Sequence, residues 1–102
     1  MEEKVLRHVV LFKFKAHASK DAISKCEKTF MELKNRVRYI KSLEWGVDVS
    51  PENLSQGFTH CFFLSFESEA DRDAYLLNNS HKELGRLLDP ILDKALVVDY
   101  WA

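Results

Sequence analysis

Four side chains spread along this chain have the types needed to move a proton: His8, Tyr75, His81 and Asp99. An imidazole titrates near neutrality, so it can accept and return a proton at cytosolic pH. A phenol can donate a hydrogen bond to a developing oxyanion, and a carboxylate can orient an imidazole. His8 interrupts the nearly continuous apolar run from Val5 to Phe14. His81 leads a helical stretch in which His81, Leu84, Leu87, Leu88 and Ile91 share one face. A histidine in such surroundings must find a polar partner or water. Each is therefore either a satisfied core residue or the polar end of a pocket, and the residues alone leave both readings open. His60, between Thr59 and Cys61, reads first as a hydrogen-bonded strand histidine. His17 lies in a charged connection and reads as a solvated loop residue. No P-loop, dinucleotide glycine fingerprint, nucleophile elbow or His-x-x-x-His zinc pair is present.

The elements that must position these residues follow from periodicity. A first strand runs from about Val5 to Phe14 and is apolar enough to be covered on both faces. Ser19 is a fitting N-cap for a helix whose stripe is Ile23, Cys26, Phe30, Leu33 and Val37. A second strand covers about Ile40 to Val49, with Leu43, Trp45, Val47 and Val49 alternating against Glu44, Gly46 and Asp48. A turn-rich loop from Ser50 to Gly57 leads to a third strand, Phe58 to Phe66. Ser68 and Asp71 resemble a weakened capping box opening a short helix from about Glu69 to Leu77. Asn78-Asn79-Ser80 interrupts it, a second helical piece follows, and Pro90 should end or kink that piece. The last strand is about Ala95 to Trp101.

The order β-α-β-β-α-β, with the second helix split, is the ferredoxin-like pattern. Right-handed crossovers put both helical segments on one face of a four-stranded antiparallel sheet, with strands one and three central. The other face also needs a cover. The simplest is a second copy of the sheet, which predicts a homodimer through the sheet face.

Size and composition bound the rest. The 102 residues read as a single domain, 1–102. Fifteen basic against sixteen acidic residues leave no basic stripe for nucleic acid or an anionic membrane. The run Lys34-Asn35-Arg36-Val37-Arg38 reads as cations favoured at a helix C-terminus rather than a phosphate site. The charged start Met1-Glu2-Glu3-Lys4 and the strand-length apolar runs give no signal peptide or membrane span. Cys26 and Cys61 form no metal-spaced pair and read as small, reduced core residues, which suits a cytoplasmic location.

Several segments together resemble the stress-responsive dimeric α/β-barrel family. They are Arg7 to Lys15, Trp45-Gly46-Val47-Asp48-Val49, Gln56-Gly57-Phe58-Thr59-His60, Phe66-Glu67-Ser68, Tyr75, His81, Asp93-Lys94 and Val97-Val98-Asp99-Tyr100. The resemblance covers nearly the whole chain and implies homodimers with a barrel-like interface between two sheets. It is also similar in pattern to a plant polyketide cyclase of that family, which works without a cofactor. That similarity implies His81 as the base removing a proton from an activated methylene and Tyr75 as the residue placing the carbonyl. Phase and resemblance together give His8, Val10, Phe30, His60, Leu92 and Asp99 as the expected ligand-binding set. Phe30 stands where the cyclase has a pocket tyrosine, and Asn78-Asn79-Ser80-His81 replaces the usual His-Pro-x-His.

The function expected is a homodimer binding a small, largely apolar or aromatic ligand between sheet and helices. The alternative is a cyclase-like enzyme using the His81/Tyr75 pair. Further alternatives are a haem-degrading or quinol-forming monooxygenase, for which Trp45, Asn78 and His81 are on offer, and a purely structural dimer. No cofactor is expected; the family leaves room for a divalent ion held by backbone carbonyls near the end of helix one.

Overall fold

A computed structural model describes residues 4–102; residues 1–3 of the charged start lie outside the described residues. The elements are β1 (Leu6–Phe14), α1 (Lys20–Arg36), β2 (Ser42–Val47), β3 (His60–Phe66), α2 (Glu69–Leu77), α3 (Asn79–Leu88) and β4 (Leu92–Trp101). The strands form one antiparallel sheet in the order β2-β3-β1-β4, so β1 and β3 are central as expected. This is the ferredoxin-like arrangement.

Strand alternation sorts β1 into two faces. Leu6, His8, Val10 and Phe12 are buried against the helices, with Phe62, Leu64 and Phe66 of β3 on the same side. α1 contributes Cys26, Phe30 and Leu33, with Val37 buried just past its end. The core is partly a stack of rings. Phe30 and Phe62 lie 3.9 Å apart and 8° from parallel, and Trp45 stacks on Phe62 at 5.5 Å. Burial of each such large side chain contributes roughly 1.5–3 kcal/mol.

Local signals set the helix ends. The hydroxyl of Ser19 accepts from the Ala22 amide, and that of Ser68 accepts from the Asp71 amide. The break between α2 and α3 is narrower than Asn78-Asn79-Ser80. Asn78 alone is extended, with φ −69° and ψ 141°; its side chain accepts from the Ser80 amide, and Asn79 already begins α3. One residue thus ends one helix and caps the next. Pro90 lies beyond the last helical residue, Leu88.

Three expectations are corrected. β2 stops at Val47 instead of Val49 because its partner β3 begins only at His60, and the chain turns away; Val49 is almost fully exposed. β4 begins at Leu92, three residues early, because it continues pairing with β1 across a register shift at Lys13/Phe14. Cys61 is not in the core: it pairs with Leu11 on the face turned away from the helices and is half-buried.

That second face carries rows of apolar side chains. Phe63, Val9 and Val98 are cross-strand neighbours, as are Cys61, Leu11 and Leu96. Leu96, Val98 and Tyr100 are each about half exposed.

Phe62 is the centre of the ring stack, so Phe62→Ala should cost roughly 3–5 kcal/mol. Asn78→Ala should cost about 1 kcal/mol by removing the α3 cap. Urea denaturation of both variants beside the wild type measures the two values.

Candidate functional site

A cavity of about 610 Å³ opens between the sheet and the pair α2/α3. Its floor is β1 and β4, and Phe30 of α1 contributes at the inner end. Its geometry follows from register. Val10 faces Val97 and His8 faces Asp99 across the β1–β4 pair. Antiparallel neighbours of this kind have Cβ atoms about 5 Å apart, so a histidine and an aspartate set opposite one another can meet. The register shift pairs Phe14 with Leu92 and leaves Asp93 unmatched. It thereby turns Leu92 onto the cavity side of the strand.

The polar groups gather at one end. His8 Nδ1 lies 2.7 Å from Asp99 Oδ1. A carboxylate only accepts, so Nδ1 carries the hydrogen and donates it, leaving Nε2 free of that bond. Asp99 Oδ2 accepts from Arg72 Nη1 at 2.9 Å, and Arg72 Nε donates to Asp73 at 3.0 Å. Asp99 therefore joins β1, β4 and α2 through one carboxylate. The hydrogen bond to Asp99, and then that to Asp73, holds the Arg72 guanidinium above its already high ordinary pKa.

Tyr75 sits between the two cavity histidines. Its ring makes edge contacts with His8 at 5.9 Å and His81 at 4.8 Å between centroids. Only about 1% of Tyr75 is exposed, and burial pushes its phenol pKa well up, so the hydroxyl keeps its proton at any physiological pH. The His81 imidazole is shifted the other way. Burial is the larger cause and the nearby His8 the second, while a hydrogen bond with the Leu76 backbone opposes them. A neutral base thus lies edge-on to a protonated phenol, beside an oriented imidazole. Such a set can remove a proton from a bound molecule and hydrogen-bond the oxygen on which charge develops.

Of the residues singled out from sequence, His81, Tyr75, His8, Val10, Phe30, Leu92 and Asp99 line this cavity. His60 does not. It lies further along β3, where Nε2 donates to Glu27 at 2.7 Å, the Thr59 hydroxyl meets Nδ1 at 2.7 Å, and Trp45 stacks on the ring at 5.7 Å. Both ring nitrogens are satisfied, so its buried position is accounted for by structure. His17 is exposed. Trp45, Asn78 and His81 are not gathered in one place, since Trp45 packs on His60 and Asn78 caps α3. Among the described residues no three His, Cys, Asp or Glu side chains are placed to hold a metal ion. Near the end of α1 the carbonyls of Leu33 and Val37 already accept from the Val37 and Ile40 amides. No helix among the described residues is long and apolar enough to cross a membrane.

Arg72 is the functional candidate that sequence reasoning missed. Its signal was its place three residues before Tyr75, which puts both on one helix face.

The lowered His81 value has a consequence for stability. Its folded pKa lies below the unfolded value of about 6.5. The unfolded chain therefore binds more protons, and this contribution is complete above that pH and lost as pH falls through the folded value. In His8→Gln the His81 pKa should rise while staying below the ordinary value, because burial remains. NMR titration of the ring protons in both proteins checks this.

The chain matches the family described as Stress responsive A/B Barrel Domain over residues 6–102. It is 39% identical over 95 residues to the stress-response A/B barrel domain-containing protein HS1 of Arabidopsis thaliana, covering 93% of this chain and 87% of that protein. It is 28% identical over 95 residues to olivetolic acid cyclase of Cannabis sativa, covering 93% of this chain and 94% of the cyclase. Its structure is similar to that of the hydroxynitrile lyase from Passiflora edulis, with a TM-score of 0.90 and 26% identity over 99% of this chain and 95% of the lyase. A dimeric protein of ferredoxin-like fold from Bacteroides fragilis, at 21% identity, shares the fold, with a TM-score of 0.75 over 94% of each chain. The fold, the extent of the match and the identity to HS1 agree: the chain belongs to the stress-responsive A/B barrel domain family.

Proposed function

We propose that this protein is a homodimer that binds a small, largely apolar molecule in the cavity between β1/β4 and α2/α3. The observation that carries the reading is the division of the cavity: its walls are aliphatic and aromatic, and its hydrogen-bonding groups converge at one end around Tyr75. Such a site orients an apolar body by one polar group, of which a carbonyl or hydroxyl is the simplest. A second sheet on the row Val9, Phe63 and Val98 would remove an apolar face from water. Dimeric structures of the same fold support it. Both cysteines are free, which suits a reducing, cytosolic setting.

A second reading, acid–base catalysis without a cofactor, is favoured by the edge contact of His81 with Tyr75 and by their opposite pKa shifts. His81 would take a proton and Tyr75 would hydrogen-bond the carbonyl oxygen. On a β-polyketone the proton leaves an activated methylene for His81, the carbanion closes a ring onto a second carbonyl carbon, and that carbonyl's oxygen takes the proton back from His81 to give a hydroxyl. On a cyanohydrin it leaves the hydroxyl, the carbon–cyanide bond breaks as the carbonyl forms, and cyanide takes the proton. The kinship with a cyclase and a lyase supports this reading.

Ligand titrations followed by NMR test the first reading. Acetophenone and aliphatic ketones should shift the ring signals of His8, Tyr75 and His81 together and leave His17 unmoved; unshifted cavity signals would sink it. For the second, carbonyl release from mandelonitrile and ring closure of a β-triketone are assayed. Any activity found should fall at least 100-fold in His81→Gln and about 10–100-fold in Tyr75→Phe. It should also decline as pH drops and His81 protonates. Activity that survives His81→Gln removes the mechanism.

A further inference from the structure

The cavity does not end at His81. A shallow surface groove on the outer side of α3 is lined by Leu76, His81, Lys82, Gly85, Arg86 and Asp89, and it shares Leu76, His81 and Gly85 with the cavity. Gly85 lies inside α3, where glycine is costly relative to alanine. Packing does not call for it: a Cβ built there meets nothing within 4 Å. At position 85, on the wall that the two hollows share, no side chain stands between them.

The groove also carries two cations on α3. Lys82 and Arg86 are one helical turn apart, a spacing at which like charges repel. The α3 dipole favours Arg86 in the last turn but disfavours Lys82 near the N-terminus, and the first turn carries no acidic residue; Glu83, next to Lys82, forms no ion pair with either cation among the described residues. Among the described residues neither has a carboxylate within 4 Å, although Asp89 also lines the groove.

We propose that the ligand reaches the cavity over Gly85 and is an amphiphile whose anionic end rests in the outer groove against Lys82 and Arg86. Its apolar body lies within and passes His81 at the junction. This rests on the cavity reading above and adds the class of ligand: an apolar chain or ring ending in a carboxylate, sulfonate or phosphate.

The test compares octanoate with 1-octanol, which share a chain and differ in charge, at pH 8 and low salt, by NMR shift titration of the full chain. Wild type should bind octanoate several-fold more tightly, as two exposed charge contacts allow. The preference should vanish in 0.5 M salt and in the double variant Lys82→Gln/Arg86→Gln. Gly85→Leu should weaken both ligands, and Gly85→Ala should raise the melting temperature. A Gly85→Leu protein that keeps its wild-type spectrum and binds both ligands normally overturns the passage. If octanol binds but octanoate gains nothing, or its gain survives the double variant, the anionic groove is wrong while the cavity reading stands. If neither ligand moves the cavity signals, both fail.

Discussion

One carboxylate holds the site together. A histidine in the buried row of β1 must have a polar partner, and the β1–β4 register delivers Asp99 opposite it. The second oxygen of Asp99 holds Arg72, which fixes α2 over the edge strand. β4 lies on the far side of β1 from β3, and most of its residues are exposed. Without this link, little in the fold would set the distance between α2 and β4, whose residues Arg72, Tyr75, Val97 and Asp99 line the cavity. The pairing that satisfies His8 therefore also shapes the space next to it.

The same sheet leaves its second face without helices. Every residue of β1 is either under the helices or on the open face, where Val9 and Leu11 sit in apolar rows between Arg7 and Lys13. Helices cannot cover it, because right-handed crossovers have placed them all on one side. In a homodimer the ligand cavity and the subunit interface would then lie on opposite faces of one strand. A substitution on Val9 or Leu11 would act on assembly, and one on His8 or Val10 on the site.

The chemistry available is set by how burial acts on two different groups. Removing water disfavours a charged phenolate and a charged imidazolium alike. It leaves Tyr75 a donor and His81 an acceptor, the complementary pair that proton removal from a carbonyl compound requires. Phe30 keeps the inner end of the cavity apolar, so the polar work falls to the end nearest α2 and α3. That polar end adjoins the groove beside Gly85, where Lys82 and Arg86 are exposed.

The sequence by itself determined the element order, the central strands, the split second helix and the face on which His81 lies. These depend on periodicity and on capping residues, both local. It also brought Tyr75, His81, His8 and Asp99 forward as one set, because histidines inside apolar runs demand partners. Tertiary structure alone decided which partners. His60 and His8 sit in equally apolar central strands, yet Glu27 and Thr59 claim the first while the second opens onto the cavity. The paired register decided that Asp99 faces His8, and a shift at Lys13 decided that Leu92 turns inward. Arg72 and Gly85 gained their places from the packing of α2 and α3 against the sheet. A residue's own periodicity gives its face but not its neighbour, because neighbours come from segments tens of residues away whose register only the assembled sheet fixes.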